Sequence, residues 1–203
     1  MKKFGRAGLL ALTLGLISSG VPLSAVQAAP ASQSAAQTLD WMDLLPADDL
    51  ASLEDRPALL DSIEEGSDAD SIDSLLESQA GKLDPKELAH LQRYQQALTS
   101  TNTRTELVGK LVKVPGYVVP LEYDDDQGIT ELFLVPFFGA CIHVPPPPPN
   151  QIIHVRLKEP LQLESLYDPV WMVGTLRSGQ VNTDMGLAAY QLDVRSVEPY
   201  EGE

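Results

Sequence analysis

The C-terminal half of the chain is written largely in period two. In KLVKVPGYVVPLEY the apolar residues alternate about Leu111, Val112 and Val114, and Pro115-Gly116 predicts a bulge or bend. DDDQG, Asp124 to Gly128, reads as a solvated hairpin tip, because the spaced ligands and closing glutamate of a calcium loop are absent. Thr130 to Phe137 predicts a second strand, Gln151 to Leu157 a third, Val170 to Arg177 a fourth and Ala189 to Val197 a fifth. Ala140 to Val144 reads as a short extended piece, SGQVNTDMG as a hairpin loop and EPYEGE as a polar tail.

Upstream the period changes to that of a helix. Trp41, Leu44 and Leu45 share a face until Pro46 stops the turn, and Asp48 to Asp55 predicts a second short helix through Leu50 and Leu53. Ile72, Leu75, Leu76 and Gln79 form a further stripe, which Gly81 ends. Asp84-Pro85-Lys86-Glu87 is a helix start, with Asp84 as N-cap, Pro85 at the first helical position and Glu87 placed for a capping box. That helix runs to about Thr99, and His90 within it reads as a surface or packing residue.

Five strands in about 90 residues, with a long first strand bent at a glycine, predict a small closed barrel. The fold class expected is α+β, mainly β: an OB-fold-like five-stranded barrel preceded by short N-terminal helices. A sandwich of immunoglobulin type needs about seven strands. The expected organisation is a signal peptide at 1–28, a disordered linker at 29–37, a helical region at 38–102 packed on the barrel, and the barrel at 103–203.

Residues 1–28 carry the signal: Lys2, Lys3 and Arg6, then an apolar stretch from Gly8 to Gly20, then Val26-Gln27-Ala28 at the cleavage position. The apolar stretch is too short to span a bilayer, so the mature chain is expected to be periplasmic or secreted, without membrane insertion. Removing the signal takes away three basic residues and no acidic ones, leaving 11 basic against 29 acidic and a net charge of −18. Such a charge disfavours nucleic acid and anionic lipid as partners and suits cationic ones, metal ions included. The one cysteine, Cys141, excludes an internal disulfide, so it is either a packed core residue or a functional thiol.

The chemistry concentrates in FLVPFFGACIHVPPPPPNQIIHVRL, Phe133 to Leu157. Cys141 and His143 stand two apart and would share a strand face. If the chain returns antiparallel with His143 opposite His154, all three side chains converge, and a slip of one residue sends His154 away. Cys141, His143 and His154 are therefore candidate ligands for zinc or copper, with packed core residues as the alternative. A Cys–His thiol enzyme is a further alternative, without an identifiable Asn or Asp orienter; no phosphate loop, serine elbow or His-Glu-x-x-His motif is present. Pro145, Pro146, Pro147, Pro148 and Pro149 form a stiff polyproline arch ended by Asn150. That arch is either a rigid connector or, with Phe137, Phe138 and Trp171, a partner-binding surface.

GYVVPLE, FLVPFFGACIHVPPPPPNQIIHVR, DPVWMVGTL and YQLDVRSVEPYE, with the earlier DWMDLLP, resemble the DUF3299 family of exported bacterial proteins over roughly residues 38 to 202. The ACIHVPPPPPNQ block is the most specific part. The resemblance implies a periplasmic protein of unassigned function, associated with ABC-type, metal-related transport. The reading that follows is a non-enzymatic accessory protein that binds metal and works with a transport component or another envelope protein. The alternative is a metal-free interaction module using the proline arch.

Overall fold

In the computed structural model, β2 (Leu111–Tyr123) is the strand on which the barrel closes. Its first half, Leu111 to Gly116, pairs antiparallel with β5 (Val170–Thr183), and its second half, Tyr117 to Tyr123, pairs antiparallel with β3 (Ile129–Val135). The change of neighbour falls at Gly116, where a Cβ would lie 2.8 Å from both Leu134 Cγ and the Val135 carbonyl oxygen. Only glycine lets β2 pass that close to β3. The ring continues through β4 (Ile153–Leu161) and β6 (Gly186–Pro199), in the order β2-β3-β4-β6-β5 and back to β2, with β4 and β6 parallel. This is the OB-like, mainly β architecture that the period-two pattern predicts. The structure describes residues 35–62, 74, 76–77, 81–140 and 147–200, all within the second of two compact units, Ser34–Glu203. The signal peptide expected at 1–28 lies outside them, and among the described residues no helix is long and apolar enough to cross a membrane.

Alternation along β2 sorts the side chains. Val112, Val114 and Val118 point inward and join Leu132, Leu134, Ile153, Val155, Met172, Leu176 and Leu192 in the barrel core. Leu39, Trp41, Leu44 and Leu107, from the segment before the barrel, enter the same core. Each buried apolar side chain of this size contributes roughly 1.5–3 kcal/mol of transfer free energy. Trp41 Nε1 donates to the Pro115 carbonyl at 2.7 Å, so the ring is both buried and satisfied. Tyr190 on β6 is fully buried; its hydroxyl donates to the Leu44 carbonyl at 2.8 Å and accepts from the Arg104 N–H at 2.6 Å. One side chain thereby ties the N-terminal segment to the barrel.

The helical region has α1 (Ala47–Glu54) and α2 (Pro85–Leu98). Asp84 caps α2 as expected, accepting from the N–H groups of Lys86 and Glu87. The reciprocal capping box forms not there but at the 3₁₀ turn Trp41–Leu44, between Asp40 and Asp43. Gly81 has a φ of 78°, as a helix-ending glycine should. Ser74, Leu76 and Glu77 are helical, and the rest of the predicted stripe over 72–79 is outside the described residues. His90 Nε2 lies 2.6 Å from the Asp55 carbonyl oxygen, so it pins α2 to the end of α1.

Two expectations are corrected. Gln37 and Thr38, at the boundary of the expected linker, form a short strand β1 parallel to Val112 and Lys113 of β2. SGQVNTDMG is not a loop: β5 and β6 run on through it, pairing as far as Thr183 and Gly186. Its polar residues continue the ladder on exposed faces, and only Asp184-Met185 remains for the turn.

Burial raises the pKa of the Tyr190 hydroxyl above the ordinary 10.0, against the hydrogen bond from the Arg104 backbone. A raised folded pKa contributes stability that is present below pH 10 and is lost as the pH climbs through the folded value. Tyr190→Phe should cost about 1–3 kcal/mol at neutral pH, because the Leu44 carbonyl and Arg104 N–H lose their partner. The gap from wild type should narrow above pH 10. Denaturant melts at a series of pH values measure both effects.

Candidate functional site

The outer face of β3 and β4 is also covered, which a single-layer barrel does not require. Phe133, Val135, Ala140, Ile152 and Ala188 form a second buried cluster, with Tyr117, Val119 and Leu121 of β2 packed against it. The period of two places Glu131, Phe133 and Val135 on this face of β3, and His154 and Arg156 on the same face of β4, with Ile152 just before that strand. Segment 136–152 leaves from and returns to this cluster: Ala140 and Ile152 are members of it, and Pro147, Pro148 and Asn150 are buried.

His154 is the predicted ligand that the structure describes. Its cross-strand partner in β3 is Phe133, and its parallel neighbour in β6 is Gln191. The place opposite His154 that the expectation gives to His143 is held by Phe133 of β3, which ends at Val135. Cys141, His143, Pro145 and Pro146 lie outside the described residues. Among the described residues, no group of three His, Cys, Asp or Glu side chains is placed to hold a metal ion.

What surrounds His154 is a polar arrangement set into an apolar face. Nε2 is 2.6 Å from Oε1 of Glu131, and both side chains are more than nine-tenths buried. Oε2 of Glu131 accepts from Arg156 twice, from Nε at 3.1 Å and from the terminal nitrogen at 2.6 Å. The Arg156 side chain is 73% exposed, so its charge stays hydrated at the rim of the cluster. Burial alone would raise the Glu131 carboxyl; hydrogen bonds from His154 and Arg156, together with the guanidinium charge, outweigh it and hold the group below the ordinary 4.5. Phe133 meets the imidazole edge to face, with centroids 6.1 Å apart. Nδ1 of His154 is buried and has no hydrogen-bond partner among the described residues. A buried ring nitrogen left bare costs free energy unless something occupies it.

Asn150, at the end of the arch, is an anchor. Its amide nitrogen donates to Asp49 of α1 at 2.9 Å and to the Asn102 carbonyl at 3.2 Å, and Asp49 also accepts from Ser100 at 2.6 Å. With Pro147 and Pro148 buried, this end of the arch is packed rather than displayed. The predicted partner-binding aromatics fall into two groups. Phe137 and Phe138 are exposed, and Phe138 stacks on Tyr167 at 4.7 Å and meets Tyr117 edge-on at 6.2 Å. Trp171 is half-buried and meets Tyr200 at a tilt, with ring centroids 5.1 Å apart and the Lys113 ammonium 4.9 Å from the Trp171 ring centroid. In the acidic turn, Asp124 accepts from the backbone N–H groups of Asp126 and Gly128, so its carboxylate is used by the turn.

Sequence reasoning missed Glu131 and Arg156. The available signal was parity: in ITELFLV, Glu131 shares a face with Phe133 and Val135, and a carboxylate on a buried face requires a partner. Glu131→Ala should cost about 1–3 kcal/mol in a denaturant melt, because it strands Nε2 in the cluster. Arg156→Ala should cost a similar amount, about 1–3 kcal/mol, because it strips Oε2 of the buried Glu131 carboxylate of both its hydrogen bonds, although the guanidinium itself is exposed.

The family model described as a protein of unknown function, DUF3299, matches residues 41–199. A crystal structure of a DUF3299 family protein from Pseudomonas aeruginosa PAO1 is similar, with 32% sequence identity and a TM-score of 0.55 over 83% of this chain and 99% of that one. No curated protein matches.

Proposed function

The chain belongs to the DUF3299 family, whose function is unassigned, and from that premise we propose that it is an exported, non-enzymatic accessory protein that binds zinc or copper for an envelope transport system. The observation that carries the reading is His154: a buried imidazole held at Nε2 by a carboxylate, with Nδ1 free of any described partner. Metal-ligating histidines are commonly held in this way, with the second ring nitrogen bonded to a carboxylate. His154 alone is no metal site. The sequence supplies Cys141 and His143 as the remaining candidate ligands, on the segment that starts after Ala140 of the same cluster. A thiolate and two imidazoles suit zinc or copper and disfavour magnesium and calcium, which take oxygen ligands. The signal pattern read at residues 1–28 supports a periplasmic or secreted protein, and the acidic chain favours a cationic cargo.

A second reading is favoured by the exposed rings of Phe137, Phe138 and Tyr167, which offer another envelope protein an aromatic surface. It requires no metal.

Calorimetric titration of the mature protein separates the two. Under the metal reading the wild type takes up Zn²⁺ or Cu²⁺, and Cys141→Ser, His143→Ala and His154→Ala each weaken binding, while His90→Ala does not. Metal is released as the pH falls, because protons compete for thiolate and imidazole. A wild type that binds neither ion above background would sink the metal reading and leave the aromatic surface ahead.

A further inference from the structure

We infer that Glu131 and Arg156 act together as a tautomer lock, which fixes the ring proton of His154 on Nε2 and so presents Nδ1 as a metal donor; the inference rests on the metal-binding reading above. It follows from which atoms can donate. The Arg156 guanidinium has only N–H donors, and its two contacts take Oε2 of Glu131. That leaves Oε1, an acceptor, facing Nε2 at 2.6 Å, so Nε2 must carry the proton. In the neutral ring the lone pair then lies on Nδ1, the atom that is buried without a described partner. The opposite tautomer would set a lone pair against a carboxylate and bury an N–H with no described acceptor. Both features are penalised on a face this enclosed.

Arg156 is thus a positioning residue, although it does not touch the imidazole in any described hydrogen bond. By claiming one carboxylate oxygen it decides what the other end of the residue-131 side chain shows to His154. Glu131→Gln exposes this role without changing shape. An amide has one acceptor and one donor end. Arg156 still requires the acceptor, so the amide NH₂ turns toward Nε2, and Nε2 must then accept. The ring proton moves to Nδ1 and closes the donor position. Removing Arg156 as well frees the amide to rotate, so its oxygen again accepts from Nε2. A buried pair that mattered only for packing would not give this pattern, because the double variant would be the least stable and the weakest binder.

The test uses the full mature chain. Imidazole ¹⁵N shifts of His154 in metal-free protein at about pH 8, where an ordinary histidine is neutral, report the tautomer directly. The wild type should show a protonated Nε2 and a bare Nδ1, Glu131→Gln the reverse, and Glu131→Gln/Arg156→Ala the wild-type pattern. In competition with a chromophoric chelator, Glu131→Gln should lower Zn²⁺ affinity by about 10–100-fold, the usual effect of losing such an outer partner, and the double variant should recover most of it. A wild-type ring protonated at Nδ1 would overturn the inference, whatever Glu131→Gln does to folding. So would a Glu131→Gln variant that binds Zn²⁺ like the wild type, or a double variant that binds more weakly than the single one. A wild type that binds no Zn²⁺ would overturn the metal reading, and this inference with it.

Discussion

Closure of the barrel depends on β2 serving two neighbours in succession, and Gly116 is the point of exchange. With a methyl group there, the strand would collide with Leu134 and the Val135 carbonyl oxygen, and β3 could not approach. Because the second half of β2 is committed to β3, the outer faces of β2, β3 and β4 form one continuous surface. That surface is apolar enough to need cover, and Ala140, Ile152 and Ala188 lie against it. The second cluster, and the polar arrangement within it, are therefore consequences of how the barrel closes.

Within that cluster Glu131 is the group that must be compensated. An ionised carboxylate more than nine-tenths buried persists only with hydrogen bonds on both oxygens. Arg156 supplies two from the solvent side and His154 one from the interior. This orders the three residues by exposure, with hydrated arginine at the rim, carboxylate at the boundary and imidazole inside. The carboxylate satisfies one nitrogen of His154 and leaves the other bare. A ring nitrogen in that condition is suited to a metal ion, which needs a lone pair without a competing proton.

Much of the fold was legible in the chain. The alternation through KLVKVPGYVVPLEY and the tip at DDDQG stand where the pattern puts them, because each depends on its own residues and immediate neighbours; at Gly116 β2 changes neighbour, and its register shifts lie further on, between Pro120 and Tyr123. The continuation of β5 and β6 through SGQVNTDMG was not legible, since a polar exposed strand and a polar loop have the same composition. At the site, His154 was visible as a residue but its neighbours were not. Pairing His143 with His154 assumed that the short extended piece before the arch lies beside the strand after it, whereas Phe133 of β3 holds the place opposite His154. The carboxylate that orients His154 stands 23 residues earlier and meets it only through the β3–β4 register, which sets Phe133 opposite His154. The anchoring of Asn150 by Asp49, 101 residues away, was invisible for the same reason.

The central claim is that Nδ1 of His154 is a metal donor held ready by Glu131. Diffraction at the zinc absorption edge, on crystals of the mature protein grown with Zn²⁺, tests it most directly. The account predicts an anomalous peak about 2.0–2.1 Å from Nδ1 of His154, with the Glu131 carboxylate still bonded to Nε2. No peak at His154, or a peak at Nε2 with Glu131 displaced from the ring, would contradict it.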